Sequence, residues 1–125
     1  MGMFSSNNSS HKLMWCALES INQLNEVMRS SRREPIVLFK HSTRCGISTA
    51  ALNRFESQWS LGSKYAQIYL LDLLNHRDVS NEIADLTGVT HQSPQVIVVK
   101  EESVIYHASH GRIDASEIES LLNKG

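Results

Sequence analysis

Apolar residues recur with helical periodicity in four segments of the chain. The first segment follows a capping box and predicts a helix to about Ser31, and the second predicts a helix directly after Cys45. A third helix should end at Gly88, and a last one should begin at Asp114. The apolar positions behind these predictions are Ile21, Leu24, Val27, Met28, Ile47, Ala51, Phe55, Trp59, Val79, Ile83, Leu86, Ile118, Leu121 and Leu122.

Short runs of consecutive apolar residues predict the strands. They cover residues 36–39, 68–74, 96–99 and 104–106, and a further short strand is expected near residues 13–18. The last two main runs are separated by residues 100–103, a connection of hairpin length. The predicted order is therefore helix, strand, helix, strand, helix, strand, strand, helix.

This order is similar to the thioredoxin-like arrangement of an α/β domain. We therefore expect a three-layer α/β/α sandwich with a mixed central sheet. Residues 1–12 are rich in Ser and Asn and are expected to form a disordered leader, whereas residues 13–125 should form a single domain.

Composition excludes several classes of function. The 125 residues carry a formal net charge of -1, so no basic stripe is available for nucleic acid or for an anionic membrane surface. No apolar run approaches the length of a membrane span. Cys16 and Cys45 are too few for a disulfide framework or a thiolate zinc site, which favours a reducing cytoplasm. We expect neither a nucleic acid partner, nor a membrane partner, nor a metal site.

Cys45 is the candidate catalytic residue because it lies where a buried strand ends and a helix begins. Free backbone N–H groups and the positive end of the helix dipole are found at such a position. Lys40, His41 and Arg44 add nearby cations in the sequence. A helix N-terminus and neighbouring cations make a thiol acidic, so we expect Cys45 to be a reactive thiolate.

The residue three positions after Cys45 is Ser48, so the motif is C-x-x-S and contains no second thiol. Cys45 can therefore accept a group as a mixed disulfide, but an outside thiol must complete the cycle. Ser48 could donate a hydrogen bond toward the sulfur, or it could simply satisfy backbone groups at the start of the helix.

Ser93 and Pro94 directly precede the apolar run at residues 96–99. Thioredoxin-like proteins carry a cis-proline loop in this position, facing the catalytic cysteine. We therefore expect a cis bond here and expect Ser93 and Pro94 to contact a disulfide-bearing substrate, as an added strand segment would. His91 could line the same groove, or it could be an ordinary loop histidine.

Three stretches carry a resemblance to a known family: FKHSTRCGIS, SNEIADLTGVTHQSPQVIVVK and HGRIDASEIESLL. Over nearly all of residues 13–124 the chain resembles the monothiol bacilliredoxins, the bacillithiol system redox-active proteins of YtxJ type. The resemblance implies a thioredoxin-like fold, Cys45 as the active-site cysteine, Ser48 as the motif serine, and Pro94 as the loop proline. The family commonly has proline after the cysteine, whereas this chain has Gly46, whose backbone N–H is available to the sulfur.

The same resemblance implies a thiol–disulfide oxidoreductase that removes bacillithiol from protein mixed disulfides. Bacillithiol would then be a co-substrate, and no permanently bound cofactor is expected. The partners would be bacillithiolated proteins and a low-molecular-weight thiol.

Two other functions stay open from the sequence. The motif from Cys45 to Ser48, C-G-I-S, is close to the C-G-F-S site of monothiol glutaredoxins, which bind an iron–sulfur cluster together with a thiol cofactor. The segment HASHGRID lacks the Gly-Gly pair that those proteins use near their thiol cofactor. A thioredoxin-like adaptor that keeps its thiol without turnover is the other alternative.

Cys16, next to Trp15, is expected to be a small buried hydrophobic residue rather than a resolving thiol.

Overall fold

A computed structural model describes residues 15–59 and 66–124 of the chain. The predicted leader and the first two residues of the predicted 13–18 strand lie outside these ranges. The strands are β1 (Cys16–Ala17), β2 (Ile36–His41), β3 (Gln67–Asp72), β4 (Gln95–Lys100) and β5 (Ser103–Ser109). The α-helices are α1 (Ile21–Ser30), α2 (Gly46–Gln58), α3 (Arg77–Thr87) and α4 (Ala115–Lys124), and a short 3-10 helix spans His110–Arg112.

The strands form one mixed sheet in the order β1-β3-β2-β4-β5. β3 lies between β1 and β2 and is parallel to both. β4 runs antiparallel to β2 and to β5. The mixed sheet expected from the sequence is therefore confirmed. The central strand β2 is buried along its whole length, and the turn that contains Cys45 follows its carboxyl end.

The helices cover both faces of this sheet. The side chains of α2 and α4 pack with one set of strand residues, among them Val37 and Phe39. The side chains of α1 and α3 pack with the alternate set, among them Ile36 and Leu38. Successive strand residues point to opposite faces, which is why a continuously apolar strand serves two cores. The three-layer α/β/α arrangement is confirmed. Within the described ranges, none of the helices is long and apolar enough to cross a membrane.

Strand boundaries differ from the sequence prediction, and the end of β3 and the β4–β5 connection show why. β3 ends at Asp72 rather than at residue 74. The Asp72 carboxylate accepts hydrogen bonds from the backbone N–H of Leu74 and the side-chain amide of Asn75, which turns the chain out of the sheet.

The β4–β5 connection is also shorter than predicted, because both strands extend toward it. Glu101 and Glu102 form the turn, with φ values of 53° and 62°. A left-handed conformation is unusual for glutamate. Contacts with the end of α1 hold the turn: the backbone N–H of Glu101 donates to the Ser31 carbonyl, and that of Glu102 donates to the Ser31 hydroxyl. The Glu102 carboxylate also pairs with Arg32.

Candidate active site

Cys45 is the residue that caps the N-terminus of α2. Its backbone is extended, with φ −111° and ψ 119°, and its carbonyl accepts the hydrogen bond of the Thr49 N–H. The thiol is half-buried. Its side chain makes no capping hydrogen bond with the first-turn amides. The predicted position at the junction of β2 and α2 is therefore confirmed, with Cys45 as the residue that precedes the first turn of α2.

Ser48 lies beneath this turn and is fully buried. Its hydroxyl oxygen lies 2.7 Å from Nδ1 of His41 and accepts a hydrogen bond of 3.0 Å from the backbone N–H of Ser42. These two bonds tie the first turn of α2 to the end of β2. The described hydrogen bonds of Ser48 thus join it to the end of β2 and to the turn before α2.

The His41 imidazole shares this buried environment with two carboxylates. Burial lowers the pKa of His41 from its ordinary value, and the charges of Asp72 and Glu56 oppose that shift. A neutral imidazole has one nitrogen that accepts, so Nδ1 can accept a hydrogen bond from the Ser48 hydroxyl. Glu56 is itself buried and accepts a hydrogen bond of 2.7 Å from the Trp15 indole.

The surface beside Cys45 has one basic and two apolar side chains. Arg44 is exposed, and with Thr43, Leu74 and Asn75 it lines a cleft of about 450 Å³. Ile47, two residues after Cys45, is 69% exposed, and Leu74 is 40% exposed. Apolar side chains of this size at the mouth of a site offer contact area to a protein partner.

Lys40 has partners on the opposite side of the sheet from His41. Its ammonium group is fully buried, donates a hydrogen bond of 3.2 Å to the Ser80 carbonyl and lies 3.2 Å from Nδ1 of His91. Ser80 and His91 belong to α3 and to the loop after it. The structure therefore gives this cation contacts with the α3 side, rather than the contact with the Cys45 turn that sequence proximity suggested.

The loop before β4 lies at the same edge of the sheet as the active-site turn. Gln95 pairs with Lys40 across the β2–β4 ladder, so Ser93 and Pro94 lie level with the carboxyl end of β2. The Ser93–Pro94 peptide bond is cis. The Pro94 carbonyl accepts a hydrogen bond of 3.0 Å from the N–H of His110, which joins this loop to the end of β5.

Two polar atoms flank Pro94 without a partner among the residues described. They are the Ser93 hydroxyl oxygen and the Gln95 side-chain carbonyl oxygen, both buried. The amide nitrogen of Gln95 donates a hydrogen bond of 3.0 Å to the Thr90 carbonyl. The loop is therefore fixed by its backbone and by Gln95, while the hydroxyl of Ser93 is free of hydrogen bonds within the described ranges.

The sequence expectation for Cys16 is wrong. Cys16 was expected to be buried, yet it is exposed. β1 is a two-residue strand at the edge of the sheet, so among the described strands it has a neighbour, β3, on one side only. In the part of the chain that the structure describes, no cluster of three metal-ligating side chains is found.

The polar contacts under the site were the part that sequence analysis missed. Gln95 was not singled out, and His41 was counted only as a cation near Cys45. The strand alternation contained a usable signal, because Lys40 and His41 are adjacent in a strand and must point to opposite faces. The partner of each side chain could not be read from that pattern.

Comparisons with known proteins agree with this geometry. The monothiol bacilliredoxin BrxC family matches residues 16–118. A solved structure described as an oxidoreductase with a thioredoxin fold is 30% identical, with a TM-score of 0.71, over 83% of this chain and 89% of that one. The thioredoxin of Malassezia sympodialis is 16% identical, with a TM-score of 0.66, over 90% and 91% of the two chains. The thioredoxin of Trypanosoma brucei brucei is 12% identical, with a TM-score of 0.64, over 89% of each chain. The thioredoxin-like fold is thereby confirmed.

Proposed function

The chain belongs to the monothiol bacilliredoxin family and is a thiol–disulfide oxidoreductase, and from this premise we propose that Cys45 removes bacillithiol from protein mixed disulfides. The observation that carries the proposal is the placement of Cys45. It is a half-buried thiol at the N-terminus of α2, with a serine where a resolving thiol would stand. Such a site can accept a thiol group from a partner and cannot expel it through a disulfide within the turn.

The first step is a thiol–disulfide exchange. The Cys45 thiolate attacks the bacillithiol sulfur of the mixed disulfide, a new S–S bond forms, and the bond between bacillithiol and the protein sulfur breaks. The target sulfur leaves as a thiolate and takes a proton from water. Cys45 now carries bacillithiol, and no net electron transfer has occurred.

The second step needs a thiol from outside the chain. The thiolate of a low-molecular-weight thiol, which in this proposal is a second bacillithiol, attacks the bacillithiol sulfur on Cys45. Cys45 leaves as a thiolate, and a symmetrical low-molecular-weight disulfide is the oxidised product. The cycle requires no permanently bound cofactor and fits a reducing cytoplasm.

Features around Cys45 support a protein substrate. Ile47, two residues after Cys45, exposes apolar surface, and Leu74 and the exposed Arg44 line the neighbouring cleft. On the other side, the Ser93–Pro94 segment lies at the same sheet edge and can pair with an extended substrate backbone. We assign Arg44, Gly46 and Ser48 to the support of the Cys45 turn, and Ser93, Pro94 and His91 to substrate contact.

A turnover assay tests this function. The full chain is incubated with a bacillithiolated model protein and excess bacillithiol, and release of the free protein thiol is followed with time. The wild type and Cys16→Ser should release it catalytically, and Cys45→Ser should be inactive. Release by Cys45→Ser at the wild-type rate, or no release by the wild type, would contradict the proposal.

A second arm separates the iron–sulfur alternative. Anaerobic reconstitution with iron, sulfide and bacillithiol should leave the protein colourless. Visible absorbance that depends on Cys45 would support a cluster carrier instead, because a cluster in such a protein would be held by the turn cysteine and an outside thiol.

A further inference from the structure

The loop before Pro94 is held from inside by two buried side chains. Lys40 and Gln95 are directly opposed in the β2–β4 ladder, so their side chains lie side by side on the sheet face that carries α1 and α3. The Gln95 amide donates to the Thr90 carbonyl, and the Lys40 ammonium lies 3.2 Å from Nδ1 of His91. Thr90 and His91 are consecutive in the loop. The first is therefore held by a side chain of β4 and the second by a side chain of β2.

The contact between Lys40 and His91 determines which imidazole nitrogen carries hydrogen. An ammonium group has three hydrogens and no lone pair, so it can only donate. Nδ1 of His91 must then be the acceptor, and in a neutral ring the hydrogen lies on Nε2. The Ser80 hydroxyl lies 3.2 Å from the same Nδ1 and can donate to it as well.

The surroundings keep the ring neutral. Burial, the charge of Lys40 and the charge of Arg77 all lower the pKa of His91. Burial also lowers the pKa of Lys40, to about 8, so the ammonium form still predominates at neutral pH. Of these two cations, Lys40 belongs to β2 and Arg77 belongs to α3. His91 as a residue is exposed, and Nδ1 is the ring nitrogen that faces the buried ammonium, which leaves Nε2 as the nitrogen for an outside partner.

We propose that Lys40 is a positioning residue that fixes His91 in the Nε2–H tautomer, so that the loop before Pro94 presents a neutral N–H donor to an oxygen of the disulfide-bearing substrate. This inference rests on the proposed function, which brings the substrate to that loop. The oxygen is a carbonyl or carboxylate, and it belongs either to the target protein or to the low-molecular-weight thiol. Lys40 acts through His91 and does not touch the reacting sulfurs.

Nitrogen NMR of the full chain, labelled with ¹⁵N in histidine, tests the tautomer without any substrate. In the wild type, Nδ1 of His91 should be unprotonated and Nε2 protonated at neutral pH. Lys40→Met keeps approximately the length of the side chain and removes the donor, so the Nδ1–H form should become populated. The pKa of His91 should also rise toward its ordinary value, because the charge of Lys40 no longer lowers it. Ser80→Ala is the matched control, because it removes a hydroxyl near Nδ1 and keeps the ammonium, and it should retain the wild-type tautomer.

A wild-type spectrum with hydrogen on Nδ1, or an unchanged tautomer in Lys40→Met, would overturn the inference. If Lys40→Met does not fold, the wild-type and Ser80→Ala spectra decide, since loss of the Nε2–H form in Ser80→Ala would assign the role to the hydroxyl.

Kinetics test the donor itself. His91→Phe should raise KM for the bacillithiolated protein about five- to tenfold and leave kcat unchanged, as expected for one lost hydrogen bond. His91→Gln carries an amide N–H of similar reach and should keep KM within about twofold of the wild type, whereas Lys40→Met should resemble His91→Phe. An unchanged KM in His91→Phe, or a loss confined to kcat, would contradict the inference.

The source of the oxygen is found by repeating the measurement with oxidised bacillithiol as the only disulfide. An effect of His91→Phe that persists assigns the oxygen to the low-molecular-weight thiol, and an effect seen only with the protein substrate assigns it to the target. If the wild type releases no bacillithiol at all, the proposed function fails, while the NMR measurement still decides the role of Lys40.

Discussion

At the scale of single residues, the two cysteines differ both in exposure and in their position in the fold. Cys16 is exposed on an edge strand, whereas Cys45 is half-buried at a helix N-terminus. If access alone set the rate, Cys16 would react faster with a small electrophile. Thiol reactivity depends on the surroundings of the sulfur as well as on access, and of the two cysteines Cys45 is the one at a helix N-terminus.

We therefore expect iodoacetamide to alkylate Cys45 at least about tenfold faster than Cys16 at about pH 6. Rates are measured on the Cys16→Ser and Cys45→Ser variants, each of which leaves a single thiol. Equal rates, or faster alkylation of Cys16, would remove the basis for Cys45 as the nucleophile.

Ser48 contributes to stability through its buried hydrogen bonds. Ser48→Ala would leave Nδ1 of His41 and the N–H of Ser42 without their partner in a buried environment. We expect a loss of about 1–3 kcal/mol in the free energy of unfolding, measured with urea. Thr49→Ala is the control, because Thr49 is exposed on the same helix turn, and it should change stability by less than about 0.5 kcal/mol. Equal effects of the two substitutions would show that the Ser48 contacts carry no stability.

At the scale of secondary structure, the sequence predicted what depends on local pattern. The apolar run beginning at Ile36 predicted a buried strand. The structure shows that strand, β2, and extends it from residue 39 to His41. Tertiary contacts decided the rest. The left-handed turn at Glu101 and Glu102 depends on Ser31 from a distant helix, and exposure of Cys16 depends on what lies beside β1. In the site, the position of Cys45 followed from the strand–helix junction, whereas the partners of Lys40 and His41 required the packed structure.

Gly88 ends α3 for a conformational reason that can be measured. Its φ is 73°, the left-handed region that favours glycine, and a Cβ atom there would meet nothing within 4 Å. Gly88→Ala should therefore cost about 1 kcal/mol of unfolding free energy through backbone strain alone.

Gly111→Ala is the matched control, because Gly111 also has open space around it and does not have a left-handed φ. It should be neutral or slightly stabilising in the same urea titration. A loss in Gly111→Ala as large as that in Gly88→Ala would show that strain at the end of α3 is not the cause.

At the scale of the whole molecule, a fully buried lysine in the central strand opposes folding unless its charge is compensated. The pKa of Lys40 is lowered by burial from 10.5 to about 8. Between these pH values the unfolded chain holds a proton at Lys40 that the native chain has released. Stability therefore rises with pH in this window through Lys40, and is constant through this group below it.

Lys40→Met removes this dependence. Urea unfolding of the wild type and the variant, compared at about pH 7 and about pH 9.5, should show the wild type gaining stability relative to Lys40→Met at the higher pH. Tyr106, whose pKa is raised to about 12, is present in both proteins and cancels in the comparison. A stability difference that does not change with pH would contradict a native-state pKa near 8 for Lys40.

The central claim is that one thiol carries the transferred group, and intact-mass spectrometry after a single turnover tests it most directly. The reduced full chain is mixed with a stoichiometric amount of bacillithiolated model protein, with no low-molecular-weight thiol present, and quenched with acid. We predict that the chain gains the mass of one bacillithiol less two hydrogens, on Cys45 by peptide mapping, in the wild type and in Cys16→Ser. The model protein should lose the same group. No adduct on the wild type, or an adduct located on Cys16, would contradict the account.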